Sequence, residues 1–235
     1  MPQPTVLLVH GAFADGSSWS RVIDRLHAEG VTAQALANPL RGLTHDGEYV
    51  ANAASQVDGP VVLVGHSYGG PVATYAGSKA PNVTALVLVA AFGVDYGVSA
   101  LGSVAEFPDP ELATSLEPRT YPGSDSPEVY IQRDKFRSVF AADLPEEETA
   151  LLAVSQRPVA LAGLNDVLEV EPAWKTLPTW FAVATQDHAI HPDSQRAAAA
   201  RLGATTVEIE GSHAIALSQP DAVAALVLAA VRAQE

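Results

Sequence analysis

Residues 61–70 read Val-Val-Leu-Val-Gly-His-Ser-Tyr-Gly-Gly. Four consecutive apolar residues, three of them β-branched, predict a short strand buried on both faces. The stretch from Pro71 to about Lys79 then has helical character. Between strand and helix lies Gly65-His66-Ser67-Tyr68-Gly69. A Gly-x-Ser-x-Gly turn in that setting holds its serine in a strained conformation, and the strain requires small neighbours on either side. A phosphate cradle would need the GxxxxGK or GxGxxG spacing, and neither is present.

Outward from this turn, apolar runs alternate with helical patterns. Val6–Val9, Val31–Ala37, Ala85–Ala91, Thr179–Thr185 and Thr206–Ile209 read as strands. Ser17–Glu29, with Gly30 as its stop, Thr44–Val57 and Ser194–Leu202 read as helices, Asp193 serving as cap to the last. A final helix follows Ser218-Gln-Pro-Asp221, which has capping-box spacing and Pro in the first turn. This alternation predicts an α/β fold, a mostly parallel sheet with helices on both faces. The rhythm breaks over residues 96–172, which hold 14 of the 27 acids and five basic residues. That stretch reads as a cap insertion, helical around Val129–Phe140 and Pro145–Ser155. The expected organisation is a core of residues 1–95 and 173–235 with a lid of 96–172.

With 235 residues and 48% hydrophobic content, the chain is sized for one core. Its longest apolar run, Ala222–Val231, is too short to cross a bilayer and suits a packed helix. The start, Met1-Pro2-Gln3-Pro4, carries no charged leader region. A net charge of −14 disfavours nucleic acid. With no cysteine, the chain has no disulfides, thiolate metal site or cysteine nucleophile, which fits a cytoplasmic setting. The histidines show no zinc-site spacing, so neither metal nor cofactor is expected.

A serine hydroxyl needs a base, and the base needs an acid that fixes its tautomer. His213, in Glu210-Gly-Ser-His-Ala214, lies in the loop between the last strand and the last helix, and is the expected base. His66 is too close a neighbour of Ser67 for that task, and His10 is expected to brace backbone. Asp187 follows the strand Thr179–Thr185 and is the expected acid, with Asp95 as rival; His188 and His191 read as loop residues near the pocket rim. The order Ser67, Asp187, His213 is that of the α/β-hydrolases. Two backbone N–H groups must face the developing oxyanion. One should belong to Tyr68 and the other to Ala12 in His10-Gly-Ala-Phe13, with Phe13 as second choice. Phe13, Phe107, Tyr130, Phe136 and Phe140 are expected to line the substrate pocket with Tyr68.

Four pieces together, Val9–Phe13 with Trp19, Val64–Gly70, Val183–Asp187 and Glu208–His213, resemble the α/β-hydrolase superfamily. Within it the chain is similar to small bacterial esterases and to the plant methylesterase and hydroxynitrile lyase group. The resemblance implies a serine hydrolase acting on a small carboxylic ester or lactone through an acyl-enzyme on Ser67, as a monomer or homodimer. The lyases of that group place a lysine directly after the catalytic histidine; Ala214 stands here, which argues against cyanide chemistry. A serine nucleophile also disfavours dehalogenase and epoxide hydrolase chemistry, which needs a carboxylate. Two other uses of the same residues stay open: a ligand-binding signalling module with an intact triad, and cofactor-free oxygenase or perhydrolase chemistry.

Overall fold

The computed structural model describes residues 3–234, so Met1 and Pro2, which open the stretch read for a leader, lie outside it. In chain order the elements are β1 (Thr5–Val9), α1 (Ser20–Ala28), β2 (Ala33–Leu36), α2 (Leu43–Ser55), β3 (Val61–His66), α3 (Gly69–Lys79) and β4 (Val83–Val89). Next come β5 (Leu116–Arg119), β6 (Glu128–Ile131), α4 (Phe136–Phe140), α5 (Glu146–Ser155), β7 (Val159–Ala160) and α6 (Leu161–Asn165). The chain closes with β8 (Thr179–Ala184), α7 (Pro192–Arg201), β9 (Thr205–Ile209), α8 (Ile215–Ser218) and α9 (Pro220–Arg232).

Six strands form one sheet in the order β2-β1-β3-β4-β8-β9, paired in parallel throughout. Successive strand residues serve opposite faces. Leu7, Val9, Val61 and Leu63 pack into a core under α2 and α3, while Val6, Leu8, Val62 and Val64 pack into another with α1 and α9. β3 is buried on all six of its residues, as its unbroken apolar run predicts. The chain runs from β1 outward to β2 and then returns to the other side of β1 as β3. The carboxyl ends of β1 and β3 are therefore a topological switch point, where open α/β sheets form their ligand crevice. His10-Gly11-Ala12 and Ser67 leave the sheet there.

Residues 96–172 carry a small antiparallel sheet, β5-β6-β7, with α4, α5 and α6. Bridges between Tyr96 and Leu168 and between Ser99 and Val167 bring its two ends together. Three expectations about local structure are corrected. Val129–Phe140 is strand, turn and short helix rather than one helix, because Val129 and Ile131 pair across the small sheet before the chain turns. Pro220 does open α9, but Ser218 ends α8 and Gln219 occupies the cap position without a side-chain bond. Asp193 lies inside the first turn of α7, whose cap is His191; the His191 ring accepts from the Asp193 N–H at 3.2 Å. Among the described residues no helix is long and apolar enough to cross a membrane.

Candidate active site

Ser67 sits between β3 and α3 at φ +54, in the left-handed region that non-glycine residues avoid. The crowding around it explains the flanking glycines. A Cβ at Gly65 would lie 2.3 Å from the Gly69 carbonyl oxygen, and one at Gly69 would lie 2.4 Å from that of Val9. Strand and helix thus meet backbone to backbone, which forces Ser67 outward into the crevice.

His213 lies in the loop after β9. Its Nδ1 is 2.6 Å from Asp187 Oδ2, and both side chains are buried. A carboxylate accepts only, so Nδ1 donates, and in the neutral ring the lone pair belongs to Nε2. Asp187 follows β8 and is fixed by two further N–H groups on Oδ1, from Ala189 at 2.7 Å and Ile190 at 2.9 Å. The rival Asp95 is half-exposed and paired with Lys175 at 3.1 Å. Ser67 and His213 share the wall of one cavity; no hydrogen bond joins the two side chains in this structure.

The remaining histidines sort by their partners. The Asn38 N–H donates to His10 Nε2 at 3.0 Å, so His10 Nδ1 donates to the Gly11 carbonyl at 2.9 Å; the ring braces backbone, and burial lowers its pKa. His66 Nε2 faces the His213 carbonyl at 2.9 Å and must donate to it. Burial, with the neighbouring His213, drives the His66 pKa well below the ordinary value, so this ring stays neutral. His66 packs beside His213 at 4.6 Å between ring centres. His188 and His191 both line a shallow outer groove, and His191 also reaches the cavity wall.

The Phe13 N–H donates to the Arg157 carbonyl at 3.0 Å, which removes the second-choice oxyanion donor. The N–H groups of Ala12 and Tyr68 meet no acceptor among the described residues, and both residues line the cavity. The Tyr68 phenol is turned into the core, where it donates to Asp46 Oδ2 at 3.0 Å; burial and the Asp46 charge raise its pKa strongly.

The cavity has a volume of about 440 Å³. From residues 96–172 it is walled chiefly by Leu101, Val104, Phe107, Leu112, Leu116 and Leu164, and from the core by Phe13, Phe92 and Ile190. No lysine or arginine is among the lining residues. Of the aromatic residues expected in the pocket, Phe13 and Phe107 line this cavity, whereas Tyr130, Phe136 and Phe140 do not. Tyr130 points to the other face of β6 from Val129 and Ile131, under the Arg119 guanidinium and bonded to Glu128. Phe136 and Phe140, one turn apart on α4, pack on each other; Phe140 supports the His213 ring at 4.9 Å from behind.

Sequence reasoning missed three supporting groups around the site, of which Asp46 and Gln195 are buried and Asp143 is exposed. Asp143, after α4, clasps the loop before His213, accepting from Ser212 N at 3.0 Å and Ser212 Oγ at 2.5 Å. Asp46 accepts from Tyr68 and from the Arg41 N–H. Gln195 on α7 donates to Asp187. None of them sits in a motif, and Asp143 lies far along the chain from Ser212, as Asp46 does from Tyr68.

Comparison with known proteins agrees with this geometry. The model of the alpha/beta hydrolase family matches residues 6–226. Methylesterase 2 of Arabidopsis thaliana is 30% identical over 219 residues, covering 81% of each chain. Lipase LipV of Mycobacterium tuberculosis is 38% identical over 119 residues, a match spanning 46% of this chain and only 44% of the lipase. The crystal structure of polyneuridine aldehyde esterase superimposes with a TM-score of 0.83 at 20% identity, covering 97% of this chain and 98% of that one, a likeness of fold. With the family model spanning nearly its whole length and a serine elbow at the switch point of its parallel sheet, this chain belongs to the alpha/beta hydrolase family.

Proposed function

We propose that the protein is a serine hydrolase that cleaves small, neutral carboxylic esters or lactones through an acyl-enzyme on Ser67. The reading rests above all on His213, whose Nδ1 is committed to Asp187, so that Nε2 is free to act in the cavity that also holds Ser67. His213 Nε2 takes the Ser67 proton as Oγ attacks the ester carbonyl, and Asp187 stabilises the resulting imidazolium. The oxyanion forms against the unspent N–H groups of Ala12 and Tyr68. The imidazolium then protonates the departing alkoxide, and water resolves the acyl-enzyme by the same steps in reverse.

The cavity narrows the substrate. An anionic group on the substrate would be buried without a counter-charge, because neither lysine nor arginine lines the wall. A neutral, apolar ester fits, and the carboxylate produced is expelled by the same lack of a partner. Residues 96–172 act as the cap that sets this selectivity. The relatives named methylesterase and esterase support ester cleavage without specifying the ester here.

The test is turnover of a neutral aryl ester alongside labelling by an organophosphonate probe. Wild type should hydrolyse the ester and take up one label, and Ser67→Ala should lose the label and about 10⁴- to 10⁶-fold in rate. Labelling that survives in Ser67→Ala would overturn the reading.

A further inference from the structure

We propose that Gln195 is a positioning residue for Asp187: its amide holds that carboxylate turned toward His213. The inference rests on the reading of Asp187 as the acid of the triad.

The orientation of the Gln195 amide is fixed by its partners. The Ala184 N–H, at the end of β8, can only donate, so the atom 3.0 Å from it is Oε1. Nε2 therefore faces Asp187 Oδ2 at 2.7 Å and the Ile190 carbonyl at 2.9 Å, and both of its protons are used. Gln195 has no exposed surface, so water cannot replace it in these bonds. Oδ2 is the oxygen that also receives His213 Nδ1. The Gln195 bond thus falls on the one carboxylate oxygen whose direction decides the tautomer of the base. Oδ1 is already held by the Ala189 and Ile190 N–H groups, so Gln195 completes a set of four donors around a buried anion. A carboxylate taken out of water needs such a set of donors in place of its lost hydration. Gln195 does not line the substrate cavity; it reaches the site through Asp187 and through Ile190, whose carbonyl it also holds.

Two substitutions separate positioning from packing. Gln195→Met keeps the volume and removes both donors. It should lower kcat about ten- to a hundredfold, the usual weight of a hydrogen bond to a buried charge, with KM little changed. Gln195→Glu puts a carboxyl where the amide nitrogen now sits. Beside Asp187, burial and like charge raise the pKa of the added group, so its protonated form can donate to Oδ2 as the amide does. Once it ionises, two carboxylates face each other and the His213 partner is lost. The other charged groups near the pair are His213 itself and, around the outer groove, Asp109, Glu111, His188, His191, Asp193 and Arg196. All of these are present in wild type and in Gln195→Met as well, so a limb confined to Gln195→Glu belongs to the added carboxyl.

The experiment is the pH profile of kcat for wild type, Gln195→Met, Gln195→Glu and Asp187→Asn on one neutral aryl ester, with thermal melting of each. The expected result is a kcat loss in Gln195→Met and an added alkaline limb in Gln195→Glu, which turns over faster than Gln195→Met on the acid side of that limb. Should Gln195→Met fail to fold, the Gln195→Glu profile decides alone. A folded Gln195→Met with wild-type kcat, or a Gln195→Glu profile without the limb, overturns the proposal. If Asp187→Asn retains wild-type turnover, the acid lies elsewhere and the proposal falls with it; if Asp187→Asn is impaired, a missing limb refutes the role of Gln195 only.

Discussion

Replacing Gly65 by alanine adds one methyl group that never touches substrate, and its consequences can be worked from the elbow geometry. The added Cβ would stand 2.3 Å from the Gly69 carbonyl oxygen, 2.7 Å from its carbon and 2.8 Å from Gly70 Cα. All three are backbone atoms at the start of α3, so no side-chain rotation relieves the overlap. To open the shortest contact from 2.3 Å to 3.0 Å, the shortest separation real Cβ atoms tolerate, the end of β3 must separate from α3 by about 0.7 Å. Ser67 lies between the two and moves with them. Overpacking of this kind costs about 1–3 kcal/mol. For a chain of this size, each kcal/mol lowers Tm by about 2–4 °C. A reacting atom displaced by about 1 Å loses about a hundredfold in rate, so a loss of tens of fold is expected here. Gly30→Ala serves as the control: that glycine has φ +76 with open space around its Cβ position, so it should lose stability through backbone strain and keep its turnover. Calorimetry and initial rates on both variants make the comparison. A Gly65→Ala protein that melts and turns over like wild type would refute the claim that the glycines exist to hold Ser67 in place.

Other outcomes follow from the same structure. Asp187→Asn should lower kcat by about 10⁴-fold by favouring the wrong His213 tautomer, whereas Asp95→Asn, which only loses Lys175, should change kcat by less than about tenfold. The reverse ranking in steady-state assays would move the acid. His10 and His66 both have folded-state pKa values below 6.5 through burial. The unfolded chain therefore binds more protons below pH 6.5, and stability should fall on acidification from there toward the folded values, by up to about 1.4 kcal/mol per pH unit for each ring. Calorimetry between pH 7.5 and 5 checks this, and a flat Tm would contradict it. Asp143→Asn keeps an acceptor for the Ser212 N–H but removes the charge from the clasp on the His213 loop. It should lower kcat with KM little changed, and a raised KM with kcat unchanged would assign Asp143 to substrate binding instead.

The sheet was legible because its signals are local. Val61–Val64 and Val6–Val9 are too uniformly apolar to be anything but buried strands, and Gly-x-Ser-x-Gly requires its own turn. The positions of Asp187 and His213 also follow locally, since each closely follows a strand that ends at the same sheet edge. Residues 96–172 were less legible, for a physical reason. Their short elements pair with distant partners, as Val129 does with Pro118 and Val159, so helix and strand cannot be told apart from the pattern of one segment. Tyr130 and Phe136 were expected in the pocket because aromatic residues in a cap suggest a lining. Alternation along β6 and the i, i+4 face of α4 direct them elsewhere. The supporting shell of Asp46, Asp143 and Gln195 was invisible for a related reason. A side chain that holds another across the fold leaves no local signature until the fold has brought the two together.

The account depends on a covalent intermediate at Ser67, and that intermediate can be weighed. Mixing the protein with excess neutral aryl ester, quenching in acid within the first turnovers and measuring the intact mass should reveal one acyl group per chain. Peptide mapping should place it on Ser67, and the adduct should be absent in Ser67→Ala. An acyl group mapped to Ser212 or another residue, or steady turnover with no acyl mass on the chain at any quench time, would contradict the account.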